Sequence, residues 1–574
     1  MGRNPQTAGV NGTSPEIPNT VDADPYATAG KAVAVARQGE SERASTGASA
    51  VGTQGREASG TREVPPSPRA GAAGADPEGN RRGSERRGEV GPVCVQRTGR
   101  SAHSTGEAGE SPVEGRGRRI SAQASRRMAG TQRPSPMSQS LRRLARKAKE
   151  EPQLQFTAIA HLLTEEVYWA AWRRLKKGAS TGVDGVTATA YAANLAGNLR
   201  ALQARVKAKQ YRPQPVRRVT IPKEGGQTRP IGIPALEDKL VQGAVRLLLE
   251  AIYEQDFLPC SYGFRPGCSP QQALAVLEQA LLRQKVSYVL DIDIRRFFDT
   301  MDHGHLLRFV QHRVKDRSIL RLLRCWLRAG VLEAGRVAPS ETGTPQGGVI
   351  SPLLANIYLH YVLDLWAERR MRQVLRGKMV LVRYADDVVV GFQYRDDAET
   401  FQRALADRLA QFGLELNAAK TRLLEFGRFA VERAARRGCK PETFDFLGFT
   451  HICSRTRRGR FQVRRKTSRK RLRRVLTATG RWCKQNRHVP VRDQWAILCG
   501  KLRGHYQYYG VAGNRNALQA VYERVVRAWR QWLNRRSQRA RMNWRKFTAL
   551  LRRYPLLRPV LYAVPSPVMQ GVLV

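Results

Sequence analysis

Residues 381–392 read LVRYADDVVVGF, and this stretch constrains the fold more than any other. Apolar, β-branched runs flank Tyr384-Ala385-Asp386-Asp387, which predicts two strands joined by a tight turn with two acidic side chains near its tip. Taken alone, two Asp residues on a hairpin are ordinary solvated turn residues. A second acidic segment changes their meaning. In YVLDIDIRRFFDTMDH, Asp291 and Asp293 sit two apart in an apolar run, so strand alternation points both to the same face. Carboxylates from two distant strands can therefore meet.

The 574 residues exceed what one core needs, so two or three domains are expected. Charge narrows the class of partner. There are 99 Lys plus Arg against 48 Asp plus Glu, a formal net charge of +51. Such an excess repels itself unless a polyanion shares the surface, which points to nucleic acid. An anionic membrane would call for an apolar anchor, and no run of 18 apolar residues occurs. The first 20 residues lack the apolar core of a signal peptide, so a cytoplasmic protein is expected. Eight cysteines are scattered without a C-x-x-C pair, which favours neither a disulfide framework nor a zinc site.

Residues 1–136 are dominated by Gly, Ala, Ser, Pro and Arg without an apolar period. Such a segment buries too little to offset its chain entropy and is expected to be disordered. It reads as an RNA-binding arm, as a dispensable tail, or as upstream sequence translated from too early a start, with Met128 and Met137 as alternative starts. Helical spacing begins at Ser138. Further on, VRRVTIPKEGGQTRPIGIP predicts a basic hairpin with Lys223 and Arg229 flanking its turn. Helices follow at 240–254 and 270–283, then the acidic strand at 288–298. A Gly/Pro-rich loop, 343–348, runs into an apolar helix; backbone at Gly347-Gly348 can approach a ligand because no side chain blocks it. A helix at 396–412 and a short strand pair at 444–449 complete this part. From Arg464 the chain is basic, helical and rich in rings, including GKLRGHYQYYG with Lys501, Arg503, His505, Tyr506, Tyr508 and Tyr509. Rings and cations together suit RNA, although Trp and Tyr at helical spacing are mostly core.

An oxygen-rich acidic site without His or Cys suits Mg²⁺ rather than zinc. Two such ions about 4 Å apart activate a 3′-hydroxyl and stabilise a leaving pyrophosphate in polymerases and nucleases. Asp293 and Asp386 would hold them with help from Asp387, while Lys223 and Arg229 neutralise the triphosphate and residues 345–348 seat the nucleotide and its template base.

YADD resembles the catalytic box of reverse transcriptases, and the segment from Asp293 to His303 their first acidic motif. IPKEGGQTRPIGIP, SYGFRPG, DIRRFFDTMDH, GTPQGGVISPLLANIYL, RYADDVVVGF and FDFLGF follow the order of group II intron-encoded proteins, and GHYQYYGVAGN resembles their maturase region. The resemblance covers residues 154–559. It implies an α+β right-hand polymerase, with fingers and palm built on an antiparallel sheet over 137–455 and a helical thumb or maturase (X) domain over 456–574. It implies an RNA-directed DNA polymerase that also binds its intron RNA to assist splicing and supports intron mobility. RNA template, DNA primer or target and deoxynucleoside triphosphates are the expected partners, with a homodimer allowed and no membrane.

Residue by residue, the resemblance makes Asp293, Asp386 and Asp387 the metal carboxylates, with the Ile294 carbonyl as a further ligand. Phe298 becomes the gate against a ribose 2′-hydroxyl, Gln346 the neighbour of the templating base, and Lys420 an acid for the leaving pyrophosphate. Arg296 replaces a small residue and Cys268 a basic one. No paired cysteines or His-Asn-His arrangement follow residue 559, so the family's DNA endonuclease is expected to be missing and priming to use nicks or replication-fork strands. Two alternatives stay open: an RNA-binding maturase without polymerase activity, and a reverse transcriptase of another bacterial retroelement, which would not be expected to carry the GHYQYYG-type region.

Overall fold

The computed structural model describes residues 139–562, apart from 223–227, 334–335, 339–341, 345–346, 538 and 540. The segment 1–136, Lys223, Gln346 and the side chain of Arg229 therefore lie outside the described residues. The described strands are β1 (Val216–Pro222), β2 (Thr228–Ile233), β3 (Tyr288–Asp293), β4 (Val331–Glu333), β5 (Arg336–Ala338), β6 (Met379–Tyr384), β7 (Asp387–Phe392), β8 (Arg422–Glu425), β9 (Thr443–Phe446), β10 (Phe449–Arg455) and β11 (Phe461–Thr467). Together with the helices they make a mixed α and β chain, as expected.

The apolar acidic hairpin and the acidic strand share one sheet, ordered β6-β7-β3-β8, with antiparallel neighbours throughout. Val388, Val389 and Val390 are buried in succession, so β7 is covered on both faces and does not alternate. On one side, Val289, Val382 and Val389 pack with Leu274, Leu277 and Leu281 of the helix Pro270–Arg283 and with Phe444, Phe446 and Phe449. That helix starts where Ser269 caps it, its side chain accepting from Gln272 N at 3.3 Å, with Pro270 following. On the other side Phe392 meets Phe401 of the helix Arg395–Gln411, which also touches Trp366.

The acidic strand stops earlier than its composition predicts. β3 ends at Asp293, and Arg296 adopts a left-handed φ of +46° before the short helix Phe297–Thr300. The expected strand to Phe298 is thereby corrected: the chain turns at Arg296 and presents Phe298 from a helical turn. The basic hairpin forms as expected, β1 pairing with β2, and it extends through β4 and β5 into a second four-stranded sheet.

A third sheet, β11-β10-β9, precedes the C-terminal helices. Residues 461–467, beyond the expected boundary at 456, are thus still strand, and the helical region begins with Arg469–Gln485. It continues through Val491–Tyr509, Arg515–Asn534 and Trp544–Arg553 around a core of Leu498, Leu502, Leu518, Val525, Trp529 and Phe547. No helix among the described residues is long and apolar enough to cross a membrane.

Candidate active site

The register of the central sheet brings the acidic residues together. In the antiparallel pairing of β3 with β7, Asp293 lies directly opposite Asp387, a spacing of about 5 Å between Cβ atoms. β6 and β7 are joined by only Ala385 and Asp386, because Tyr384 pairs with Asp387. Ala385 carries a φ of +58°, the left-handed first position of a two-residue hairpin that usually falls to glycine. One strand end and one turn thus gather Asp293, Asp386 and Asp387. Asp291 stands two residues back on the same face and pairs with Arg422 at 3.4 Å.

Asp387 is reached by solvent, yet its carboxyl is pushed up to about 6, first by burial and then by the charges of Asp386, Asp291 and Asp293. Water touches this carboxylate, while the protein around it and the three neighbouring carboxylates disfavour its charge. Asp291 is raised to about 6 as well, again mainly by burial. Asp293 is held by its neighbours. Asn417 Nδ2 donates to its Oδ2 at 2.8 Å, and Lys420 Nζ approaches the same oxygen at 3.3 Å. That ion pair is half exposed and contributes little to stability, but it brings the Lys420 ammonium to the acidic centre.

Among the described residues, no group of three or more His, Cys, Asp or Glu side chains is already arranged to hold a metal ion. The donor set nonetheless fits a hard divalent cation: the carboxylates are oxygen donors from opposed backbone positions, and their mutual repulsion, which helps to hold Asp387 up, is what such a cation relieves. Ile294 follows Asp293 with its side chain buried, its backbone bridging to Leu416.

Phe298 is half-buried and sits edge-on to Phe297 at 5.2 Å. The glycine-rich loop reaches it, since Thr344 N donates to the Phe298 carbonyl at 2.8 Å. Gly347 plays a different part from the one its sequence suggests. Its φ is +127°, and a Cβ there would run into the Gly232 carbonyl and the Ile231 side chain of β2. Its missing side chain thus serves close packing of the loop on the basic hairpin.

The rings expected at an RNA surface are buried or half-buried. His505 and Tyr506 are buried, Tyr506 hydroxyl donating to the Leu557 carbonyl at 3.1 Å. Tyr508 donates to the Leu447 carbonyl at 3.1 Å, and Tyr509 packs against Phe449, ring centres 5.1 Å apart. For His505 and Tyr506 the expectation of RNA contact is therefore corrected: helical spacing put these rings into the core. Lys501 and Arg503 are exposed. Arg469, Arg473, Arg481, Lys484 and Arg524 line a groove of about 790 Å³ beside Trp532.

Sequence reading also passed over the layer beneath the hairpin. Arg383, Asp364 and Asn356 are all fully buried. Arg383 Nε and Nη2 donate to the two Asp364 oxygens at 2.7 and 2.5 Å, and Nη1 donates to Asn356 Oδ1 at 2.9 Å and to the Ala385 carbonyl at 3.1 Å. The available signal was a cation inside an otherwise apolar strand.

A paired sheet end with three carboxylates at its tip, and a glycine-rich loop reaching the helical turn beside it, is suited to metal-assisted nucleotidyl transfer. Comparison agrees: residues 221–451 match the family described as reverse transcriptase (RNA-dependent DNA polymerase). The chain is 35% identical to Protein YkfC of Escherichia coli over 286 residues, 44% of this chain and 75% of that protein. It is 37% identical over 239 residues to the group II intron-encoded protein LtrA of Lactococcus lactis, covering 40% of this chain and 39% of LtrA. A shorter match, 33% over 129 residues, covers 22% of this chain and 16% of nuclear intron maturase 4, mitochondrial, of Arabidopsis thaliana. The chain belongs to the family of group II intron reverse transcriptases and maturases.

Proposed function

We propose that this protein copies RNA into DNA by adding deoxynucleotides to a primer 3′-hydroxyl, that it binds the intron RNA encoding it to assist splicing, and that it supports mobility of that intron. The observation that carries the polymerase half is the direct opposition of Asp293 and Asp387 with Asp386 on the adjoining turn. These three carboxylates, with the Ile294 carbonyl, would hold Mg²⁺. Bound Mg²⁺ supplies activation of the 3′-hydroxyl and neutralises charge on the departing pyrophosphate.

The rest is the work of this chain's own residues. Phe298 presents its ring from the helical turn after β3 and excludes a ribose 2′-hydroxyl by volume. Lys420, already beside Asp293, delivers a proton from Nζ to the pyrophosphate oxygen. Lys223 and Arg229, on either side of the basic hairpin's turn, attract the triphosphate, and Gln346 adjoins the templating base. In the right-hand reading, the sheet β6-β7-β3-β8 is the palm, the basic hairpin belongs to the fingers, and the helices from Arg469 are the thumb. Lys501, Arg503 and the cationic groove beside Trp532 then offer RNA a surface of charge and ring.

The test is primer extension on an RNA template with Mg²⁺. Extension by the wild type that disappears in Asp386→Ala is expected. Wild-type protein that binds RNA tightly yet adds no nucleotide would support the second reading, a maturase without polymerase activity. Against that reading stands the cost of keeping three mutually repelling carboxylates together without catalytic use.

A further inference from the structure

We propose that Arg383 is a positioning residue for the catalytic turn, its guanidinium, braced by Asp364 and Asn356, fixing the Ala385 peptide and so the direction in which Asp386 and Asp387 present their carboxylates. This rests on reading the turn as the polymerase's metal centre. Arg383 touches neither nucleotide nor metal in this scheme; it acts through the backbone.

Stability alone is a poor reason for this arrangement. Arg383 and Asp364 are both fully excluded from solvent, and a buried ion pair is commonly replaced by apolar side chains of similar volume without loss of stability. What an apolar pair cannot do is direct an N–H to the Ala385 carbonyl. That bond, 3.1 Å long, lands on the residue whose φ of +58° is sparsely populated for a side chain with a Cβ. The peptide unit is planar, so holding the Ala385 oxygen also holds the nitrogen and Cα of Asp386.

Neighbouring features brace the same turn. The loop Ser261–Gly267 runs alongside β6, Arg383 N donating to the Cys260 carbonyl at 2.8 Å and Tyr262 N to the Arg383 carbonyl at 2.9 Å. Gly263 in that loop lies so close to Ala385 that a Cβ would collide with its backbone. Asn356 ties the two together, its Nδ2 donating to the Gly263 carbonyl at 2.6 Å while its oxygen accepts from Arg383. Asp364 lies in a π-helical stretch, His360–Asp364, that interrupts the long helix after the glycine-rich loop. Such bulges are rare and recur at functional sites; here it re-aims one carboxylate at Arg383.

The experiment uses the full chain bound to primer and RNA template. An Arg383→Met/Asp364→Leu double variant keeps the buried volume and removes the directed bond. Melting temperature and primer–template affinity are expected to stay near those of the wild type. Mn²⁺ affinity by electron paramagnetic resonance, with Asp386→Ala as the zero, is expected to fall about tenfold to a hundredfold, and single-nucleotide extension with it. A folded double variant with wild-type Mn²⁺ affinity and extension would overturn the proposal. Should the double variant not fold, Arg383→Lys is measured in the same way against the same outcomes, because Lys keeps the charge but cannot serve Asp364, Asn356 and Ala385 at once. Wild-type protein whose Mn²⁺ binding depends on Arg383 but which never extends a primer would sink the polymerase reading and leave the positioning role standing.

Discussion

At the acidic end of the central sheet, charged side chains stay within reach of water on a fully buried scaffold. The C-terminal helices keep the same order with the opposite charge: rings such as Tyr506 and Trp529 turn inward, and Lys501 and Arg503 turn out. The difference lies in what each side chain gives up on burial. A ring gains from leaving water, so a basic helix folds its rings into the core unless a ligand is present to cover them. A carboxylate loses by leaving water, so the three stay at the open end of the sheet, where a cation would relieve their repulsion. Polar residues in an apolar frame therefore carry more functional information than apolar residues in a polar one.

The largest effect should come from the acidic side. Asp293→Asn removes a charge that faces Asp387 while keeping the hydrogen bond from Asn417 possible, and extension should fall by several kcal/mol in barrier, at least about a thousandfold. Retention of most of the activity would mean that β3 contributes no metal ligand and the two strands were wrongly paired in function. On the ring side, Tyr506→Ala should cost about 3 kcal/mol or more in unfolding free energy, as truncating a large buried ring does. Loss of RNA affinity at unchanged stability would instead return Tyr506 to the surface and break the contrast.

How far these regions were legible beforehand follows from the same physics. The hairpin Met379–Phe392, the helix Pro270–Arg283 and the paired strands around Leu447-Gly448 were readable because local period and turn residues determine them. The opposition of Asp293 and Asp387 was not, since alternation gives a face and not a register. The end of β3 was missed because Arg296 takes a left-handed conformation that its residue type does not announce. Asp364 was hidden by its π-helical turn, which departs from the 3.6-residue period used to assign faces. The burial of His505 and Tyr506 was open to a stricter use of helical spacing.

A smaller effect concerns the layer beneath the hairpin. His360 is buried against Phe257 with Asp364, Arg383, Arg265 and Arg369 as its charged surroundings, and burial lowers it from 6.5 to about 4. The unfolded chain therefore takes up the proton first, so stability is full above pH 6.5 and declines as pH falls toward 4, by up to about 3 kcal/mol. His360→Phe should flatten this decline in urea midpoints measured between pH 7 and 4; an unchanged acid limb would assign it to other groups. The smallest effect belongs to Lys501→Ala/Arg503→Ala. Its melting temperature should match the wild type, while the slope of log RNA affinity against log salt falls by roughly one to two.

The central claim is that the end of β3 and the β6–β7 turn form one metal centre. Crystals of the protein with primer and RNA template, soaked in Mn²⁺, test it through the anomalous difference map. Density flanked by Asp293, Asp386 and Asp387 is expected; Mn²⁺ bound elsewhere on the protein, with those three carboxylates engaged only by protein groups, would contradict a shared metal centre.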